Sequence, residues 1–403
     1  MSNQRNDVIV AGHICLDVIP ELKTKTNNLS ALLQPGKLID VGQAMVATGG
    51  AVPNTGIALH KLGFSTTLMG KVGNDVFGQA LLRLIKDIDV TLTQGMITTP
   101  GENSSYSIVI SPPGGDRIFL HCPGANDTFS ADDMDMDKVS EAKLFHFGYP
   151  SLMFNMFQNE GEELVNIFRK VKGKGLTTSL DMAQPDPESE AGKTDWLPIL
   201  NKVMPYVDIF LPSFEEIVFM LDRELYDNLT RRTESSGILC GASQQSLSRI
   251  ADQLLQAGAA IVVIKLGEHG LYMRTTDDEQ RLEKSGLFNC SSTKAWMQRE
   301  LLIPCFEVEV QGTTGAGDST IAGFLGGLLQ GLTPEQVLEG AVGVGSFNVQ
   351  KPDAISGIPH WEEVQRFIKS KPSVLAPTIS LEGLSEISGG RLYRGPQDLC
   401  SSS

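Results

Sequence analysis

Short apolar segments alternate with amphipathic segments along most of the chain. The apolar segments are three to six residues long and rich in β-branched residues, which is typical of buried strands. The amphipathic segments carry apolar residues three and four positions apart, the spacing of one helix face. Strands are predicted over residues 8–11, 66–69, 144–147, 177–180, 209–211 and 261–266. Helices are predicted over residues 55–62, 76–86, 162–172, 247–256, 319–330 and 334–349.

This alternation predicts an α/β fold with a mostly parallel open sheet covered by helices on both faces. Ligands of such sheets bind at the carboxyl ends of the strands. Two segments depart from the pattern: residues 14–48 contain no long helical segment, and residues 104–121 read as a hairpin with a turn at 112–116. We predict that both segments pair into a small β lid over the strand ends.

We predict one main domain over residues 1–370. Within it, residues 274–300 are polar and irregular, which predicts a surface excursion. Residues 371–403 are rich in Ser, Gly and Pro, so we predict a tail that lies over the domain or is partly disordered.

Composition narrows the possible functions. Of the 403 residues, 41% are hydrophobic, which is enough for a sizeable core. The net charge of −15 argues against a nucleic-acid partner. The sequence has no run of 18 apolar residues and no signal-peptide pattern, so we expect a cytoplasmic protein without a membrane partner. The six cysteines form no Cys-x-x-Cys pair, which disfavours a zinc or disulfide framework.

The strongest chemical signal is the segment 312–318, Gly-Thr-Thr-Gly-Ala-Gly-Asp, directly before a predicted helix. Small residues at a helix start let backbone N–H groups converge on an anion. Asp318 would repel that anion unless it accepts a proton from an attacking hydroxyl. A simple N-cap is the alternative role of Asp318. The chain has neither a Walker-type phosphate loop nor a Gly-x-Gly-x-x-Gly sequence in its first strand–helix unit, so this segment is the best candidate phosphate site.

The segment 312–318 resembles the C-terminal signature of the ribokinase-like (pfkB) family of carbohydrate and nucleoside kinases. The segments 49–56, 70–78 and 265–270 resemble three further signatures of that family, in the same order. The resemblance implies an ATP-dependent kinase that transfers the γ-phosphoryl group to a hydroxyl of a small-molecule substrate, with a sugar favoured. A nucleoside kinase and a non-catalytic relative that binds a nucleotide or metabolite are the alternatives.

The resemblance also implies roles for individual residues. The implied catalytic base is Asp318. The N–H groups implied to form an anion hole, which would bind the transferred phosphoryl group, belong to Gly315, Ala316 and Gly317. Substrate contacts are implied for Asp17, Gly49, Gly50 and Asn54. Nucleotide contacts are implied for Ser213, Lys265, Gly267, Gly270, Thr313 and Asn348. Glu216 is implied to order Mg²⁺ through water.

Three positions differ from the family pattern. Ser213 replaces the Asn that usually opens the Asn-x-x-Glu motif. Lys265 stands where a Thr is common, and it could reach a phosphate or simply extend from its strand. Gly312 replaces an Asp that often helps to bind a monovalent cation in this family, and this difference puts activation by potassium in doubt.

The predicted hairpin offers a further substrate contact. Arg117 and His121 share one face of its second strand, by the period-two rule. Arg117 could bind an anionic group of the substrate or lie on a solvated face of the lid. We favour a neutral sugar, because Asp17 would repel an anion, and we then expect Arg117 to matter little. The lid also offers a surface for a homodimer. The histidines predicted to be structural are His13, His60, His146, His269 and His360.

Overall fold

The computed structural model describes residues 6–23, 34–111, 118–232, 237–286, 290–376 and 379–399. Its strands form one large sheet, one small sheet and a separate two-stranded pair. The strands are β1 (Val8–Gly12), β2 (Cys15–Leu22), β3 (Val41–Gly49), β4 (Thr66–Met69), β5 (Lys71–Gly73), β6 (Ile97–Thr99), β7 (Tyr106–Ile110), β8 (Ile118–Cys122), β9 (Leu144–Gly148), β10 (Thr177–Leu180), β11 (Ile209–Phe210), β12 (Ile261–Lys265), β13 (Leu271–Thr275), β14 (Glu300–Ile303), β15 (Ser385–Ile387) and β16 (Leu392–Arg394).

Helices connect these strands and cover the large sheet. They are α1 (Ala51–Lys61), α2 (Val76–Ile88), α3 (Met136–Ser140), α4 (Phe154–Phe157), α5 (Glu162–Gly173), α6 (Glu190–Lys193), α7 (Trp196–Val203), α8 (Phe214–Leu221), α9 (Arg223–Arg232), α10 (Gln244–Gln256), α11 (Glu279–Glu283), α12 (Cys290–Trp296), α13 (Ala316–Leu329), α14 (Pro334–Val349) and α15 (Trp361–Lys369). All six helices predicted from apolar spacing are present. In the part of the chain that the structure describes, no helix is long and apolar enough to cross a bilayer.

The large sheet has the order β15-β16-β14-β13-β12-β11-β10-β9-β1-β4. The strands from β4 to β12 are parallel to their neighbours. The strands from β12 to β15 pair antiparallel. The predicted mostly parallel α/β sheet is therefore confirmed, and its parallel strands coincide with the six predicted ones. The antiparallel extension was not predicted from the sequence.

Alternate side chains of the strands enter two separate cores, one on each face of the sheet. In β1, Ile9 and Ala11 pack with the helices α5, α7, α8 and α10. Val8 and Val10 pack on the other face with α1, α2, α13 and α14. Because both faces are covered, every residue of β1, β9 and β10 is buried, and polar members such as His146 and Ser179 are hydrogen-bonded to each other. The prediction that helices cover both faces of the sheet is confirmed.

The small sheet has the order β3-β2-β7-β8. Strands β7 and β8 form the predicted hairpin, in which Ser107 pairs with His121. Strand β2 joins it in parallel with β7 and pairs antiparallel with β3. The prediction of a small β lid is confirmed. The turn at 112–116 and Arg117 lie outside the described residues.

The prediction of an irregular surface excursion at 274–300 is wrong in the described part of that segment. The segment contains α11 and α12 and ends in the sheet strand β14. Trp296 and Arg299 are each 1% exposed. The segment is therefore partly buried although its composition is polar. Arg299 is buried because it is paired with acids, which a hydropathy pattern does not reveal.

The segment after residue 370 contributes β15 and β16 to the large sheet. Asp398 anchors it there with a fully buried carboxylate. This carboxylate accepts hydrogen bonds from Arg299 Nε and from the backbone N–H of Glu300, both at 3.0 Å, and lies 3.4 Å from Arg394 Nε. A boundary at residue 370 stays a prediction.

We expect Asp398→Ala to destabilise the protein by about 3 kcal/mol, because removing one partner leaves a buried Arg charge poorly compensated. The measurement is the free energy of unfolding in urea. As a matched control, Asp87→Ala removes the exposed ion pair with Arg83 on α2 and should change stability by less than about 0.5 kcal/mol. Equal effects of the two substitutions would contradict the anchoring role of Asp398.

Candidate active site

The start of α13 lies between two cavities. Gly315 and Asp318 line the larger cavity, of about 810 Å³. Ala316 and Gly317 line the smaller one, of about 390 Å³. Thr313 lines both. The glycine-rich segment 312–318 therefore separates the two cavities. A group transferred from one cavity to the other would pass the start of α13.

Asp318 is the third residue of α13, and the N-cap is Gly315. The Asp318 carboxylate does not cap its helix. Instead, Oδ2 accepts a hydrogen bond from Asn54 Nδ2 at 2.9 Å, and Oδ1 accepts from the Tyr149 hydroxyl at 2.7 Å and from Thr55 Oγ1 at 3.4 Å. The simple N-cap role considered for Asp318 is excluded by this geometry.

Burial raises the pKa of the Asp318 carboxyl above its ordinary value. The hydrogen bonds from Asn54 and Tyr149 oppose this shift, because donors stabilise the ionised form. Asp318 is 3% exposed, so few water molecules compete for it. A desolvated carboxylate with a raised pKa is a stronger base than an exposed one, which suits proton abstraction from a hydroxyl.

The N-terminus of α13 carries no side-chain cap. The first N–H groups of a helix have no partner within it, so this end can bind an anion. Gly315 has φ +70°, and a Cβ atom there would lie 2.6 Å from the Cβ of Ala354. Glycine is required at this position both by the left-handed backbone and by the close packing.

The larger cavity contains most of the predicted substrate contacts. Asp17, Gly50 and Asn54 line it. Gly49 does not line the cavity but packs against Asp17. A Cβ atom on Gly49 would clash with Asp17 Oδ2, at 2.3 Å. Gly50 has φ +93°, and a Cβ there would lie 2.6 Å from His13 Nδ1. Among the described lining residues there are several carboxylates and no Lys or Arg.

The smaller cavity contains four of the predicted nucleotide contacts, and its walls are largely apolar. Those four residues are Lys265, Gly267, Gly270 and Thr313. Ser213 and Asn348 are not among its lining residues. Asn348 is fully buried and donates a hydrogen bond to the carbonyl of Ala354 at 2.7 Å, so it supports the loop that packs on Gly315.

Lys265 points toward the start of α13. Its Nζ lies 2.6 Å from Asp181 Oδ1, and a Cβ added to Gly317 would lie 3.7 Å from the same Nζ. Burial alone would lower the pKa of Lys265, but the carboxylates of Asp181 and Glu216 outweigh it and raise that pKa. The ammonium group therefore stays charged beside the helix terminus. Of the two alternatives for Lys265, this position favours contact with a phosphate.

Glu216 is part of a capping box on α8. Its Oε2 accepts a hydrogen bond from the Ser213 N–H at 2.6 Å, and its N–H donates to Ser213 Oγ. This box orients the Glu216 carboxylate towards the charges of Lys265 and Asp318. Asp181 Oδ2 is buried without a hydrogen-bond partner among the described residues. Mg²⁺ prefers oxygen ligands and usually keeps several waters. The free Oδ2 of Asp181 and the carboxylate of Glu216 therefore fit an Mg²⁺ ion that is bound through water.

Three residues of the site were missed in the sequence: Tyr149, Asp181 and His13. Each follows a parallel strand, β9, β10 or β1, at its carboxyl end. The rule that ligands bind at this edge could have indicated them. His13, which was predicted to be structural, lines the larger cavity. His121 lines it too, as the hairpin pattern suggested; Arg117 lies outside the described residues.

Comparison with known proteins identifies the family of this chain. The model of the pfkB family carbohydrate kinases matches residues 5–361. The chain belongs to the pfkB family of carbohydrate kinases. Members of this family are phosphotransferases with an alcohol group as acceptor.

The chain is 26% identical to an uncharacterized sugar kinase of Archaeoglobus fulgidus, with 75% of this chain and 98% of that protein covered. It is also 26% identical to a probable chloroplastic fructokinase of Arabidopsis thaliana, over 89% of this chain and 81% of that protein. Among solved structures, the Arabidopsis thaliana ribokinase complexed with ribose and ATP superposes with a TM-score of 0.67 at 20% identity, covering 91% of this chain and 99% of that one. This likeness confirms the fold.

We expect Tyr149→Phe to raise the pKa of Asp318, because the substitution removes a hydrogen bond to the ionised carboxylate. A base works only when deprotonated, so the acidic limb of the kcat/KM profile should move to higher pH. A net hydrogen-bond contribution of about 1 kcal/mol corresponds to a shift of roughly 0.7 pH units. Tyr393→Phe, on the distant strand β16, is the matched control. An unchanged acidic limb in Tyr149→Phe would contradict the coupling of Tyr149 to the base.

Proposed function

We propose that this protein transfers the γ-phosphoryl group of ATP to a hydroxyl of a neutral sugar, with Asp318 as the base. The observation that carries the proposal is the position of Asp318. Its carboxylate faces the larger cavity, while the N–H groups of the same helix start lie at the smaller one. Phosphoryl transfer consists mostly of positioning and charge stabilisation, and this arrangement supplies both.

The acceptor hydroxyl would bind Asp318 through Oδ2. A carboxylate offers about four lone-pair positions, two on each oxygen. Tyr149 and Thr55 donate to Oδ1, whereas among the described residues Asn54 donates to Oδ2. A sugar hydroxyl can therefore donate to Oδ2 beside Asn54. As the hydroxyl oxygen attacks the γ-phosphorus, its proton passes to Asp318.

The phosphoryl group would be stabilised by backbone and side-chain charge together. Its oxygens would accept hydrogen bonds from the N–H groups of Gly315 and Gly317, and from that of Ala316 once its 3.3 Å bond to the Thr313 carbonyl is released. The helix dipole would add partial positive charge. Lys265 lies beside this position and carries a full charge. The ATP body would occupy the smaller cavity, whose apolar walls suit a purine ring.

Mg²⁺ would be held by the carboxylates of Glu216 and Asp181 through water, and it would neutralise phosphate charge when bound. Asp181 has a second function in this scheme. Its pairing with Lys265 directs the ammonium group toward the helix start, so the position of the lysine does not depend on the ion.

The chemistry of the larger cavity supports a neutral sugar as acceptor. Asp17, Asp186 and Asp318 line it, and no described lining residue is a Lys or Arg. Carboxylates bind sugar hydroxyls well but repel a phosphate or carboxylate on the substrate. Several related proteins are named as fructokinases and the structural neighbour contains ribose, which supports the same substrate class.

We expect Asp318→Asn to lower kcat by roughly 10²–10⁴-fold, because the amide keeps the packing but does not accept a proton. The assay is ADP release with the best acceptor from a panel of hexoses, pentoses, sugar acids, phosphosugars and nucleosides. ATP binding, measured by calorimetry, should be retained. Asp132→Asn, an exposed acid outside both cavities, is the control. A variant with more than about a third of wild-type kcat would remove Asp318 from the mechanism.

We also propose that the protein forms a homodimer through the outer face of the lid. The strand register aligns Val46, Val18, Ile108 and Leu120 in a row across the small sheet. Val46 is 44% exposed and Leu120 is 52% exposed. A continuous apolar row on an exposed sheet is typical of an interaction surface, and a second copy of the chain would cover it.

We expect the wild-type protein to sediment at twice the chain mass and Leu120→Asp to sediment as a monomer, because a buried charge opposes association. Val90→Asp places the same charge at a 64% exposed position outside the lid and should leave the mass unchanged. A monomeric wild type at all working concentrations would disprove the dimer.

A further inference from the structure

Two histidines and a cysteine converge at one wall of the larger cavity. His13 lies between β1 and β2, Cys15 is the first residue of β2, and His121 lies on β8 of the lid. His13 Nε2 is 3.3 Å from His121 Nε2. One imidazole nitrogen of each histidine and Cys15 Sγ all lie within 4.8 Å of one another. Three elements thus bring together the ligand types that a zinc-class ion prefers.

The separation of the two nitrogens matches a tetrahedral site. Nitrogens bound at about 2.0–2.1 Å to a tetrahedral zinc ion lie about 3.3–3.4 Å apart. The observed distance between His13 Nε2 and His121 Nε2 is 3.3 Å. The same distance also permits a direct hydrogen bond between the rings, so the pair alone does not identify a metal. The thiol of Cys15, at 4% exposure, adds the soft third ligand.

The surroundings of the cluster resemble the outer shell of a metal site. Ser107 Oγ lies 3.0 Å from His121 Nδ1, so it orients that ring with Nε2 toward His13. Ligating histidines characteristically use their second nitrogen in this way. His13 is 2% exposed, and its Nδ1 is buried without a hydrogen-bond partner among the described residues. When Nε2 of His13 binds the ion, this Nδ1 keeps the ring proton, so among the described residues the outer-shell hydrogen bond of the site comes from Ser107 to His121.

The remaining coordination position would open into the cavity. Asp17 Oδ1 lies 3.3 Å from Cys15 Sγ, so an ion bound to the thiolate would lie next to the predicted sugar contact. Asp17 and Asn54 line the same cavity. An ion at this wall would fill space that the acceptor needs, and it would attract the Asp17 carboxylate away from the acceptor's hydroxyl groups.

We propose that His13, Cys15 and His121 bind a zinc ion, and that the bound ion excludes the acceptor from the larger cavity. The Cys15 thiol loses its proton to solvent as the metal–thiolate bond forms, and no electron is transferred. The blocking step rests on the proposed kinase function, whereas the binding of the ion does not. Zinc would then inhibit competitively with the sugar and not with ATP.

Cobalt(II) titration tests binding without any turnover, because a thiolate bound to cobalt produces a charge-transfer band in the near ultraviolet. We expect one cobalt ion per chain with this band, displaced by zinc. Cys15→Ala should abolish the band, and His121→Ala should weaken binding of cobalt at least about tenfold. Cys122→Ala, which removes the neighbouring thiol on β8, is the matched control and should retain the band.

Ser107→Ala provides a graded variant that keeps all three ligands. It should weaken cobalt binding about tenfold, since it removes the hydrogen bond to His121 Nδ1 and the 3.8 Å hydrogen bond from Ser107 Oγ to Cys15 Sγ but none of the three ligands. Circular dichroism of each variant checks folding. A wild-type protein without the thiolate band, or a band that persists in Cys15→Ala, would overturn the metal site and leave the two histidines as a hydrogen-bonded pair.

Inhibition kinetics test the second half of the proposal. With free zinc buffered at saturating MgATP, the KM for the sugar should rise with zinc in the wild type, and this effect should weaken at least about tenfold in Ser107→Ala. Cobalt binding by a protein that phosphorylates no sugar would contradict the kinase function and leave the metal site standing. Sugar phosphorylation that saturating zinc leaves unchanged would overturn the blocking step alone.

Discussion

The burial of the Asp318 carboxylate is the constraint on which the site depends. A carboxylate at 3% exposure is stable only if hydrogen-bond donors replace its lost water. Those donors come from Asn54 on α1 and Tyr149 directly after β9, two elements far apart in the sequence. The start of α13 is thereby held against the carboxyl ends of the parallel strands. The two cavities exist because this helix end stands between them.

The charges around α13 form a balanced group rather than isolated pairs. Lys265 offsets Asp181 and Glu216, and all three lie near Asp318. Removing one member would leave an uncompensated buried charge, so the group resists rearrangement. This resistance is useful for catalysis, because phosphoryl transfer depends on charges whose positions do not change during the reaction.

Much of this architecture could be predicted from the sequence. The six parallel strands and the six predicted helices follow from the pattern of apolar and β-branched residues, since a strand buried on both faces is mostly apolar. The hairpin of the lid follows from its turn residues and alternation. The antiparallel strands β13 to β16 were not predicted. Strands β13 and β14 carry buried charged residues such as Arg274 and Glu300, and β15 and β16 have only 3 residues each. A hydropathy pattern predicts that such charged residues lie on the surface.

The sequence by itself determined the fold class and the position of Asp318 at a glycine-rich helix start, because both are local properties of neighbouring residues. Only the tertiary structure decided which side chains surround that acid. Asn54 and Asp318 are 264 positions apart, and His13 and His121 are 108 positions apart. No local pattern encodes such contacts. They arise when the strands align their carboxyl ends at one edge, and that alignment places Tyr149, Asp181 and His13 beside residues with which they share no sequence motif.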